Sequence, residues 1–491
     1  MLVALNLGFA AAIVASQLVD RDRVAASVLR AFEKGDLTIE DYPPLPLPAL
    51  NASRRFVDRF TECWSLGLAV LGDPDALVVS AASAPTLAPP ARGTLCRSLQ
   101  TFVASGAWRE HPQPMAYFAY WHGAQVLVRP LLAVADVETL GVVNRLLLGL
   151  AALWLAVEVG RTLGGGATLV LLGCIFVLGD AANATAVTAH ALGIAVAFAA
   201  AASMARSVRR PADTLVVSCW IALLGGAAFD FVDFLVNPPL GPTLLAVIVL
   251  AERLSRDAST PAAVGRAVAR AWLVAIVWFV SYAFTWCCRW IFAIALLGSN
   301  EVITNVYTRA AFRVSGDSAG VRQVPFAAIR ANVDRIGAGP LLTVSAIALL
   351  SLVVALRRSQ ERRVLLLGFA AFCSVSAIPM LWFEVLRNHS QIHAWFTFRS
   401  LSVAAAGLLL AVRWTLARSA PTMPRTPRIS PFSSRPDARS SSAVDPIAQS
   451  GMLRRLASVR PEERDSCPTW TCGTHGSKST LLSKNTGLRT R

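Results

Sequence analysis

The sequence predicts an all-α fold, a polytopic transmembrane helix bundle of about 10 spans with a long first extracytoplasmic loop and a disordered cytoplasmic tail. Three observations carry this expectation. Of 491 residues, 55% are hydrophobic and only 15% charged, whereas soluble domains carry roughly a quarter charged residues. Mean hydropathy is +0.53. The apolar residues also come in blocks, which lipid-facing helices need and a water-soluble core does not.

In chain order the spans fall near 2–19, 140–160, 166–182, 186–205, 213–229, 240–253, 271–297, 340–356, 364–382 and 400–417. Several are shorter than the roughly 20 residues that a perpendicular helix needs. The first begins at Met1 without a basic region, and its Ala-rich end resembles a signal-peptidase site. It is read as an uncleaved anchor. The transmembrane domain then occupies 1–418, and the segment 20–138 is its largest non-membrane piece. That segment is rich in proline (Pro43, Pro44, Pro46, Pro48, Pro85, Pro89, Pro90) and has apolar patches near 65–71 and 76–83. It reads as a compact, partly helical loop lying on the membrane.

Charge sets the orientation. Arg206, Arg209 and Arg210, then Arg253, Arg256, Arg266 and Arg270, then Arg357, Arg358, Arg362 and Arg363 all fall on one side of this topology. The positive-inside rule makes that side cytoplasmic, together with both termini, in a multi-pass protein of the cell membrane. The 298–338 loop opposes the rule, since it holds Arg309, Arg313, Arg322, Arg330 and Arg335 on the outer side. The net charge of +16 is nearly all arginine, with lysine only at Lys34, Lys478 and Lys484. It lies in the loops and tail, so membrane lipid headgroups account for it and nucleic acid is not an expected partner. From 419 to 491 the chain turns to Pro, Ser, Thr and Arg without apolar periodicity, a disordered composition.

Five cysteines lie in or beside spans, where Cys behaves as a small hydrophobe. Cys63 and Cys96 share the long polar loop and can pair if it faces an oxidising compartment. No spacing matches a zinc site, including that around Cys467 and Cys472. The sequons at Asn51, Asn183 and Asn388 need no function to explain them.

Tyr120-Trp121-His122-Gly123 runs into an apolar stretch bearing Arg129, then Asp136 and Glu138, then Asn144-Arg145 at the head of the next span. An interfacial aromatic belt explains the first part. The whole order resembles the GT-C class of membrane glycosyltransferases, in which a long first exported loop ends in a His/Pro/aromatic segment, an interfacial helix and an Arg-bearing second span. The likeness covers the architecture of residues 1–160 and the general layout to 418. The chain departs from the usual His-Pro-Pro wording, having His111-Pro112 and then Trp121-His122-Gly123.

The resemblance implies a polyprenyl-phosphate sugar donor and a catalytic or metal-linked carboxylate in the first exported loop. A divalent metal is thereby allowed as cofactor, with no ligands assigned. Two pairs qualify as catalytic: Asp20 and Asp22, directly after the first span, and Asp58 and Glu62, whose i, i+4 spacing puts both on one helical face. Each also reads as a solvated carboxylate beside Arg21 or Arg59.

Substrate contacts are expected from His122 and Arg129 in the same loop. Asp230 and Asp233 lie among phenylalanines at a span end, where ionisable groups face a cavity or a partner. Asn237-Pro238-Pro239 then ends that helix. The most unusual stretch is Asn388-His389-Ser390-Gln391-Ile392-His393-Ala394-Trp395-Phe396-Thr397-Phe398-Arg399, which matches no GT-C motif. Arg387, Asn388, His389, His393 and Arg399 are candidates for phosphate or sugar contact, since the arginine fork suits phosphate. A structural aromatic belt is the alternative. Metal binding by His389 and His393 lacks the Glu of the zincin pattern. Arg289 is a further intramembrane cation that could face the same cavity.

The leading expectation is a GT-C-type glycosyltransferase acting on a cell-envelope acceptor. A transporter or lipid flippase predicts polar groups along several spans rather than at one face, and a non-catalytic scaffold predicts a closed exported face.

Overall fold

The computed structural model describes residues 1–44, 56–72, 75–90, 92–109, 115–210, 215–316 and 320–420. The tail beyond residue 420, with Cys467 and Cys472, lies outside the described residues, as do Asn51 and His111-Pro112.

The chain is a helix bundle. Among the described residues seven helices are long and apolar enough to cross a membrane: Val137–Leu163, Thr188–Val208, Leu215–Val232, Pro261–Leu297, Ala338–Arg358, Arg362–Val385 and Ala394–Ser419. The helices Leu2–Ser16 and Arg21–Lys34 meet at 76° and make an eighth if the bent pair is one span. Asp20 enforces the bend. Its carboxylate accepts from Asp22 N at 2.9 Å and so starts a new helix in a new direction.

Two of the expected spans fall outside this set. The 166–182 stretch folds as Gly165–Leu178, 14 residues, about 21 Å long. It stops because Gly179 and Asp180 follow, the latter at φ +52°. The 240–253 stretch is the centre of the bundle. In Leu240–Asp257 every side chain from Leu240 to Glu252 is buried, and the helix touches Pro261–Leu297, Thr188–Val208 and Ala394–Ser419. Close approach is made possible by glycine. A Cβ at Gly225 or Gly241 would run into the Trp278 ring, and one at Gly226 into the Trp278 carbonyl. Small residues let membrane helices approach without a hydrophobic drive between them.

Contacts distinguish the two ends of the bundle. At one, Glu158 pairs with Arg161 at 3.3 Å and Arg209 at 3.2 Å, Arg256 donates to the Arg209 carbonyl, and Arg418 pairs with Glu361 at 2.7 Å. At the other, the long first loop folds over the helix ends. Its helices Arg21–Lys34, Arg59–Val70, Leu95–Ser105 and Gln125–Val134 share a core built on Val28, Leu66, Leu99, Val128 and Leu132. The Cys63–Cys96 disulfide and a two-stranded pairing of Pro85-Thr86 with Met115-Ala116 close it. Asp41 caps Leu95–Ser105 through Leu95 N and Cys96 N. Burying one face of four short helices explains why this loop is compact.

Arg289 anchors the loop to the bundle. Its guanidinium, fully buried, donates to the carbonyls of Tyr120 (2.8 Å), Ala81 (3.2 Å) and Ala82 (2.7 Å). It therefore ties backbone rather than facing a cavity.

Candidate functional site

Asp58 is the N-cap of Arg59–Val70: Oδ1 accepts from Thr61 N at 3.0 Å and Oδ2 from Thr61 Oγ1 at 2.8 Å. It is only 2% exposed because the start of Ala394–Ser419 and the start of Thr188–Val208 cover it. Trp395 Nε1 donates to Oδ2 at 3.4 Å, and His190 Nε2 faces the same oxygen at 3.8 Å. His190 Nδ1 lies 3.1 Å from an Arg399 guanidinium nitrogen. A guanidinium only donates, so Nδ1 accepts and the ring proton sits on Nε2, pointing at Asp58. The 3.8 Å gap exceeds hydrogen-bond reach.

Burial pushes the Asp58 carboxyl above its usual range, opposed by the Thr61 and Trp395 bonds and the Arg399 charge. Glu62, one turn on, accepts from Thr188 N at 3.0 Å and thus sits at the positive end of Thr188–Val208. Burial raises it to about 7, against the pull of the Thr188 N–H and Arg59.

A second group adjoins the first through Phe396, whose ring is 5.4 Å from that of His190 and 5.1 Å from that of His393. One Arg313 nitrogen reaches both His389 Nδ1 (2.9 Å) and His393 Nε2 (2.8 Å). Both imidazoles are therefore acceptors toward the arginine. Burial first, then the Arg313 charge, holds His393 down to about 3 and His389 well below the usual imidazole range. His389 Nε2 donates to the Leu235 carbonyl at 2.8 Å. That carbonyl belongs to a turn held by Asp233, which accepts from Val236 N at 3.1 Å and from Tyr282 Oη at 3.4 Å. Asn388 donates to the Phe312 carbonyl.

The histidines do not fit a metal. The nitrogens that would ligate one already meet a guanidinium, and among the described residues no three His, Cys, Asp or Glu side chains gather to hold an ion.

Asp58, Glu62, Asp233, Asn388, His389, His393 and Arg399 thus belong to one connected region. Asp230 is buried one turn before Asp233, with one carboxylate oxygen lacking a donor. His122 stands at its edge. Its Nε2 donates to the Tyr117 carbonyl at 2.7 Å, and burial lowers its pKa to about 3. Arg387 turns away and pairs with Glu384 at 3.2 Å. Asp20, Asp22 and Arg129 lie at the far end of the Arg59–Val70 helix, whose 12 residues separate the two places by about 18 Å.

Sequence reasoning missed His190, Arg313 and Asn237. Nothing marks His190 within Thr188-Ala189-His190-Ala191, or Arg313 within an exposed-looking amphipathic helix. Asn237 does more than precede a helix break: it is buried, and neither of its amide atoms has a hydrogen-bond partner among the described residues. His190 Nε2, His393 Nδ1, Asn388 Oδ1 and Ser390 Oγ are likewise buried without a hydrogen-bond partner among the described residues. Buried polar atoms are nearly always bonded, and these exceptions fall on elements that meet one another beside Asp58 and His389. The chain matches no known protein family, and no curated protein and no solved structure is similar to it.

Proposed function

We propose that the chain is an integral membrane glycosyltransferase of the GT-C type, moving a sugar from a polyprenyl-phosphate donor to a hydroxyl acceptor on the outer face of the cell membrane. The observation that carries this reading is the Asp58 carboxylate opposite His190 Nε2–H, amid buried polar atoms without partners. In the reaction Asp58 takes the acceptor proton, the acceptor oxygen bonds to the anomeric carbon, and the bond to the donor phosphate breaks. A carboxyl with a raised proton affinity is the better base. Arg399 and Arg313 supply positive charge for the departing phosphate, and Trp395 and Phe396 offer rings for a sugar face. Glu62 acts indirectly, by fixing the helix start that carries His190.

The reading includes a ten-span topology, in which the bent first pair, Gly165–Leu178 and Leu240–Asp257 complete the count, with both termini cytoplasmic. The arginines of the 298–338 loop weigh less against it because three of them are engaged within the protein. Arg313 meets the histidines, while Arg309 and Arg335 lie over the rings of Tyr117 and Phe56.

The test is sugar transfer from a polyprenyl-phosphate donor by the full chain in proteoliposomes. Asp58→Asn is expected to lower kcat by about 10²–10⁴, while Asp20→Ala and Asp22→Ala stay near the parent rate. Full activity in Asp58→Asn removes the base and the reading with it. A scaffold role is the second reading, favoured by Asp58 and Glu62 each serving a helix N-terminus. It predicts no transfer by any variant or by the parent.

A further inference from the structure

A cleft of about 490 Å³ opens where Leu2–Ser16 bends into Arg21–Lys34. Its walls carry Arg21, Arg109, Arg129 and Gln17, and Gly72 forms part of its lining. The site is built. Arg129 is 4% exposed and donates to the carbonyls of Leu68 (2.7 Å) and Leu71 (2.5 Å), but its Nε has no acceptor among the described residues. Gln17 is 9% exposed, and its Oε1 has no donor. A Cβ placed on Gly72 would meet Gln17 Oε1 at 2.9 Å and the Arg129 guanidinium at 3.4 Å. Glycine there keeps the two polar groups clear of backbone bulk.

Charge then selects the guest. Arg21 and Arg109 both lie over the Trp108 ring, at 5.7 and 4.2 Å from its centroid, so one indole gathers two like charges beside a third. Of the two carboxylates at the rim, Asp20 already caps a helix and pairs with Arg23, and Asp22 pairs with Arg109 at 3.6 Å. Arg21 also donates to the Gly72 carbonyl at 2.7 Å, and with three guanidiniums against two carboxylates the wall keeps a net positive charge that favours phosphate oxygens. Apolar side chains stand beside the mouth. Leu18 is 71% exposed, and Val78 and Val79 follow the lining residue Leu77 with their side chains also outward. An anionic head with a greasy tail fits this combination better than a soluble anion.

We propose that this cleft binds the phosphate of a lipid headgroup, through Arg21, Arg109 and Arg129 with Gln17 beside them. The inference stands apart from the transferase reading, whose residues lie at the other end of Arg59–Val70.

Native mass spectrometry of the full chain in detergent micelles tests it, with dioleoyl phosphatidic acid as probe and dioleoylglycerol, the same chains without phosphate, as control. The expected result is binding of phosphatidic acid at least tenfold tighter than of the control. The pair Arg21→Ala with Arg109→Ala should weaken it at least tenfold, about 1.4 kcal/mol, with elution and melting unchanged. If that pair fails to fold, Arg109→Glu, at a side chain 61% exposed, takes its place with the same expectation. Displacement by millimolar inorganic phosphate supports recognition of the phosphate alone, and retention supports recognition of head and chains together. Equal affinity for the two lipids, or parent-like binding by the folded variants, overturns the proposal.

Discussion

Replacing Glu62 by Gln isolates what a buried carboxyl does to this chain. In the folded protein its pKa stands at about 7, raised from 4.5, chiefly by burial. Between those two values the folded chain holds a proton that the unfolded chain has released. Stability therefore falls as pH rises from 4.5 to 7 and stays low above it. The full effect is about 3 kcal/mol. Glutamine keeps an oxygen to accept from Thr188 N, so the helix start at Thr188 survives while the charge does not. The assay is thermal melting of the detergent-solubilised chain and its Glu62→Gln variant at several pH values. The variant is expected to gain on the parent steadily from pH 4.5 to 7, with a constant advantage above. A difference in melting temperature that does not change with pH would refute the account, because then burial does not perturb the carboxyl. The difference is the quantity to read, since other groups titrate in both proteins alike.

Two further outcomes follow from the same structure. His122 and His393 have folded pKa values lowered to about 3. Between there and the ordinary 6.5 the unfolded chain binds protons that the folded one refuses, so their contribution to stability is complete above pH 6.5 and lost as pH falls toward 3; His393→Gln should blunt the acid sensitivity of melting. Arg289→Leu leaves three buried carbonyls without donors and should cost about 3–5 kcal/mol, read as a lower melting temperature and as protease cleavage near Ala81 and Tyr120 in the folded chain.

The sequence carried much of this because helix burial leaves a local signature. Asp58 and Glu62 sit four apart, and that spacing alone puts them on one face. Their common target, the start of Thr188–Val208, lies 126 residues away from Glu62 and has no local mark. Apolar blocks likewise announce helices but not their depth. Gly165–Leu178 is the more apolar of the two helices, yet the less apolar Leu240–Asp257 is the bundle centre and Gly165–Leu178 a short flank. What decides between them is the slot that Gly225, Gly226 and Gly241 make for Trp278, a property of three segments at once. The 388–399 stretch stood out for its residue types, and its histidines do meet. Their partner Arg313 could not be read, because an arginine in an amphipathic helix ordinarily faces water. Arg289 was legible as a buried cation, but only the positions of the 81–82 and 120 carbonyls show what satisfies it.

The comparison between Arg289 and the Asp58 region bears on function. Arg289 shows what structural burial of a charge requires: each of its three nitrogens donates to a carbonyl, and backbone that would otherwise be orphaned is bonded in return. The region around Asp58, at the same end of the bundle, follows a different rule. Asn237 leaves both amide atoms without partners, and His190, His393, Asn388, Ser390 and Asp230 each leave one. Each such atom costs about 1–3 kcal/mol when buried without water or protein to bond it. Together the seven amount to about 7–21 kcal/mol, comparable to the whole net stability typical of a folded domain, about 5–15 kcal/mol, unless something polar bonds them. Under the transferase reading proposed above, these atoms around the Asp58 carboxylate would bond a guest with many oxygens, as a sugar phosphate is.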